Sequence, residues 1–134
     1  MRDAITVETD QFEHREVKPH FINPCCFGED FAAWLLTELA PLEANDFDFS
    51  KPIQEDYGWG IEASRESESL WIALSFMGDG PQNEPAQWSV SVEHQSGANV
   101  LNRLFHRPDT QVFERVRDRI WQALAANPSF TTIE

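Results

Sequence analysis

Three stretches of period-two alternation in the second half of the sequence constrain the fold more than any other feature. In 59–64, Trp59, Ile61 and Ala63 alternate with Gly60, Glu62 and Ser64. In 88–94, Trp88, Val90 and Val92 alternate with Ser89, Ser91 and Glu93. Such alternation marks antiparallel strands with one face buried. Between them, 70–77 carries Leu70, Ile72, Leu74 and Phe76 on one side and Trp71, Ala73, Ser75 and Met77 on the other. Because both of its sides are largely apolar, this strand belongs in the middle of a sheet. Arg65–Glu68 is short enough for a hairpin. The 78–85 connection, with two Gly and two Pro, can continue neither strand.

Helical spacing appears on either side of this region. Asn23-Pro24 is a helix-start signal interrupted by Gly28, so the regular helix is expected from Gly28 or Glu29. Phe31, Trp34, Leu35 and Leu39 then recur at helical spacing, and Pro41 ends the run. Near the C-terminus, Asp109 or Thr110 caps a helix reaching about Ala126, with Val112, Phe113, Val116, Ile120 and Leu124 as its apolar stripe. Ala4–Val7 has strand potential, and Pro19 demotes 16–22 to an edge strand or bulge. Residues 42–57 follow neither period and read as a long loop. The predicted order β-α-β-β-β-α makes one α+β domain over 1–134. Its expected form is a two-layer sandwich, a three- or four-stranded antiparallel meander with two helices on one face.

Charge narrows the function classes. The chain of 134 residues holds 10 Lys and Arg against 23 Asp and Glu, a net of −13. A chain this acidic lacks the basic footprint that nucleic acid or an anionic membrane requires, so neither is expected as a partner. Ten Phe and five Trp supply enough apolar area to argue against disorder. The charge is also uneven: residues 1–102 carry a net of −14, and residues 103–134 a net of +1. On the last helix, Arg115, Arg117 and Arg119 are expected to form a solvated face with Arg115–Asp118 and Glu114–Arg117 pairs. Docking of that face against the acidic body of the same or a second copy is the other reading. Residues 1–8 contain no apolar run, and no stretch approaches the roughly 18 apolar residues of a membrane span. The two cysteines, Cys25 and Cys26, are adjacent and offer no disulfide framework. Together these predict a cytoplasmic protein.

The densest group of chemical side chains is Pro52-Ile53-Gln54-Glu55-Asp56-Tyr57-Gly58-Trp59-Gly60. Glu55 and Asp56 could act as general acid and base in a cleft rimmed by Trp59 and Trp88. Neighbours in an extended chain point opposite ways, however, so the two carboxylates do not converge unaided. The other reading has Gly58 and Gly60 permitting a bend or bulge while Trp59 anchors the core. His14, His20, Cys25 and Cys26 are suitable zinc ligands at unsuitable spacing, so no metal is expected. A thiolate at Cys25 or Cys26, with His94 or His106 as base, has no local signature behind it. No nucleophile elbow, phosphate loop or dinucleotide fingerprint is present, and no cofactor is expected.

The run Asn23-Pro24-x-x-Phe27-Gly28-Glu29-Asp30-Phe31, followed by Pro52 to Gly60, resembles a pattern in small acidic bacterial domains of unknown function. Some of these are similar to immunity proteins of toxin systems. The resemblance carries over no functional residue; it implies an interaction protein. The sequence therefore predicts a non-enzymatic, immunity-like protein that engages a basic partner through its acidic surface. Phe47, Phe49, Glu55, Asp56 and Trp59 are the expected contact residues. The alternative is a small-ligand-binding or hydrolytic enzyme using Glu55 and Asp56. The Trp71/Met77 side of the central strand is either covered by the 42–57 loop or the N-terminal segment, or it forms a homodimer contact.

Overall fold

The computed structural model describes residues 2–12, 27–77, 86–95 and 110–133. The expected strand at 16–22, the Asn23-Pro24 helix start and both cysteines lie outside those residues. So do His14, His20, His106, Asp109 and the 78–85 connection. Strand β1 is Arg2–Thr9, helix α1 is Glu29–Leu39, and a short 3-10 helix covers Ala40–Asn45. Strands β2 (Asp48–Phe49), β3 (Ile53–Glu55), β4 (Gly58–Arg65), β5 (Glu68–Phe76) and β6 (Ala86–His94) follow. Helix α2 (Thr110–Ala126) and strand β7 (Thr131–Ile133) complete the order. The fold is α+β; the described residues form an antiparallel sheet of seven strands, where three or four were expected, and two α-helices.

The three alternating stretches pair in succession as β4, β5 and β6, with β5 interior. Glu66 adopts a φ of 56°, the left-handed region that a two-residue hairpin turn uses. β1 then lies against β6 along its whole length, from Arg2 opposite Glu93 to Thr9 opposite Ala86. The supposed loop 42–57 contains two short edge strands, both on the free side of β4. Between them Ser50 bridges the gap: its N–H donates to the Glu62 carbonyl and its Oγ accepts the Glu62 N–H, each at 2.9 Å. Pro52 has no N–H to give, which interrupts a continuous strand there. These strands have no period of their own because the edge of β4, not an apolar face, holds them in place.

The inward residues of the sheet join both helices in one apolar cluster. Ile61, Ile72 and Val92 stand side by side across β4, β5 and β6, all fully buried. Phe31, Leu35 and Leu39 from α1 and the expected α2 stripe pack into the same cluster. The α2 arginines do more than coat a solvated face. Arg119 donates to the backbone carbonyl and the carboxylate of Glu38 on α1, at 2.7 and 3.1 Å. Arg117 reaches Asp3 on β1 at 2.9 Å as well as its neighbour Asp118. The docking reading of this face therefore describes it better than the local-pair reading.

One polar couple lies inside this packing. Glu68 and His94 face the same side as Leu70, with Oε2 and Nε2 2.5 Å apart and both side chains under a tenth exposed. Removing one partner of such a buried couple strands the other. Two substitutions gauge these contributions by urea unfolding. Ile72→Ala is expected to lower stability by about 2–5 kcal/mol through the cavity it leaves. Glu68→Ala is expected to lower it by about 1–3 kcal/mol, the cost of leaving the buried imidazole without its partner.

Candidate functional site

The outward residues of the same strands form a second face of different character. Alternation and register place Glu62 of β4, Trp71 of β5, Glu93 of β6 and Arg2 of β1 in one row across it. Glu62 and Glu93 are exposed, and Trp71 between them is half-buried. Directly paired side chains on an antiparallel sheet stand about 4.5–5.5 Å apart at Cβ, so two carboxylates flank the base of the indole. The adjoining rows carry Gly60, Ala73, Ser91 and Ala4, then Ser75, Ser89 and Thr6. These small residues form a shallow floor beside a single large side chain.

Trp71 is seated by two features of the 52–60 segment. A Cβ on Gly60 would fall 1.9 Å from the indole Cζ2, so the ring rests against backbone that only glycine leaves clear. Its Nε1–H donates to the hydroxyl of Tyr57 in the β3–β4 turn. Gly58 holds that turn against β5: its φ is 154°, and a Cβ there would lie 2.1 Å from the Leu74 carbonyl oxygen. Neither glycine makes a bulge, since β4 stays in register with β5 and β3 from Trp59 onward. Burial pushes the Tyr57 hydroxyl above the ordinary value of 10.0. The Trp71 hydrogen bond pulls the other way, and the negative charges of Glu55 and Glu93 raise it further.

The expected contact residues separate in the structure. Glu55 is half-buried in β3 and Asp56 is exposed in the following turn, both at the margin of the outer face. Phe47 and Trp59 belong to the core, at 2% and 5% exposure, so their side chains do not present a contact surface. Trp59 follows the inward period of β4. Phe47 is enclosed beneath Arg65 and Arg115, whose guanidinium carbons lie 5.7 and 5.5 Å from its ring centre. Phe49 is half-buried and stacked on Phe47 at 6.2 Å. Trp88 is fully buried, so the pair expected to rim a catalytic cleft is part of the core. Met77, one residue past β5, is 53% exposed.

Tyr57, Glu62 and Glu93 were absent from the expected contact set. A signal for Glu62 existed: counting back from the two-residue turn at 66–67 sets it opposite Trp71. None existed for Glu93, because the long 78–85 connection leaves the β6 register undetermined. Among the described residues, no group of three or more His, Cys, Asp and Glu is arranged to hold a metal ion. No described helix is long and apolar enough to cross a membrane. Comparison with family models, with curated proteins and with solved structures finds no match to this chain.

The chain has one tyrosine, so tyrosinate absorbance reads Tyr57 alone. Its midpoint is expected above that of free tyrosine, about 10, and is expected to fall in Glu55→Gln and in Glu93→Gln. An unfolded tyrosine ionises before this one does, so its contribution to stability is intact below about pH 10 and declines above it.

Proposed function

We propose that this protein is a non-enzymatic binding protein that engages a basic protein partner through an acidic surface, in the manner of a toxin-system immunity protein. The supporting observation is the row Glu62–Trp71–Glu93, an aromatic platform between carboxylates on the outer face of the sheet. This reading takes the molecule as a two-layer sandwich, with both helices on one side of the β4–β5–β6 meander and the acidic platform on the other. Arg2 closes the row beside Glu93, and the arginines of α2 are held elsewhere. Arg115, Arg117 and Arg119 are engaged with Phe47, Asp3 and Glu38, away from the platform. Glu55 and Asp56 extend its negative margin on the β3 side.

Electrostatic complementarity of this kind acts chiefly on the rate of encounter and on partner choice. A second copy of the chain fits the face less well. Across a two-fold axis the same patch meets itself, and Glu62 and Glu93 would face like charges. Association with a panel of small basic proteins, followed by surface immobilisation across ionic strength, tests the reading. The association rate is expected to drop steeply with added salt, and to drop several-fold in Glu62→Gln/Glu93→Gln at low salt. A rate indifferent to both salt and these substitutions would overturn it, as would sedimentation of the free chain as a dimer held by Trp71.

A further inference from the structure

The geometry points to an arginine side chain of the basic partner as the group that seats on Trp71, an inference that rests on the protein-binding reading above. The platform has the parts that distinguish guanidinium from ammonium. One side of the indole rests on the Gly60 backbone, and the ring is half-buried, with area remaining toward solvent. Its Nε1–H bond to Tyr57 fixes the ring before any partner arrives, so little side-chain freedom is lost on binding. A planar guanidinium can stack on that surface and turn its in-plane N–H groups toward carboxylates at the ring margin.

Glu62 and Glu93 supply those carboxylates from the two strands paired with β5. A lysine ammonium is a compact, strongly hydrated charge that can meet either carboxylate but cannot stack. Ala73, the next outward residue of β5 and the partner of Gly60, is small and leaves room beside the ring for the stem of the incoming side chain. The chain's own cations do not take this seat among the described residues: their ring contacts are with Phe47 and Phe113. Arg2 stands at the far side of Glu93, in register with it, rather than over the indole.

Two labelled peptides of equal length and charge, one alternating Arg with Gly and the other Lys with Gly, serve as probes in anisotropy titrations. The arginine peptide is expected to bind about threefold to tenfold more tightly, the range that stacking on an aromatic face supports. Its binding is also expected to lower the tyrosinate midpoint of Tyr57, because a cation beside the hydroxyl favours the phenolate. Trp71→Leu is expected to erase the preference while the lysine peptide binds as before. Gly60→Ala, whose Cβ displaces the indole, should reproduce that loss with the tryptophan still present. Equal affinities for the two peptides, or a preference that survives both substitutions, would overturn the arginine seat and leave the protein-binding reading standing. If neither peptide binds at low ionic strength, both fall.

Discussion

The pleat of β5 decides which side of every neighbouring strand is wet and which is dry. Its inward residues Leu70, Ile72 and Leu74 are fully buried and pair with the inward residues of β4 and β6. A slip of one residue would turn the apolar set outward and carry Trp71 inward, so burial enforces the register. Both helices contribute to the cluster that these inward residues form. Leu35 and Leu39 of α1 join Val116 and Ile120 of α2 in the cluster over the sheet.

The same constraint segregates charge. Once α2 docks by its apolar stripe, its arginines are carried to the edges of that contact, where Glu38 and Asp3 are waiting. Local pairing along the helix is worth only a few tenths of a kcal/mol, so it offers little resistance to these tertiary partners. With those cations engaged by Asp3, Glu38 and Phe47, Glu62 and Glu93 stand on either side of Trp71 in the row. Within that row the indole stands between two carboxylates.

Long elements were legible in the sequence because a repeated period reports a buried face many times over. That covers β4, β5, β6 and the α2 stripe, down to individual inward residues such as Ile61 and Val116. The two-residue and three-residue strands β2, β3 and β7 had no period to report. They exist because the exposed edges of β4 and β1 offer unpaired backbone groups. Phe47 and Trp59 show the same contrast at single positions. The alternation of β4 already pointed Trp59 inward, whereas only the fold placed Phe47 beneath Arg65 and Arg115. Gly60 looked like a bend and proved to be the seat of an indole one strand away.

Periodicity by itself determined three antiparallel strands with a buried face and two amphipathic helices, and the short 65–68 connection made the first two strands a hairpin. Only the tertiary structure decided that β1 lies beside β6, that the edges carry extra strands, and that Glu93 completes the row beside Trp71. The reason is one of range. Periodicity and tight turns act over a few residues, whereas pairing across a long connection is set by which register lets the buried faces pack while the backbone ladder closes.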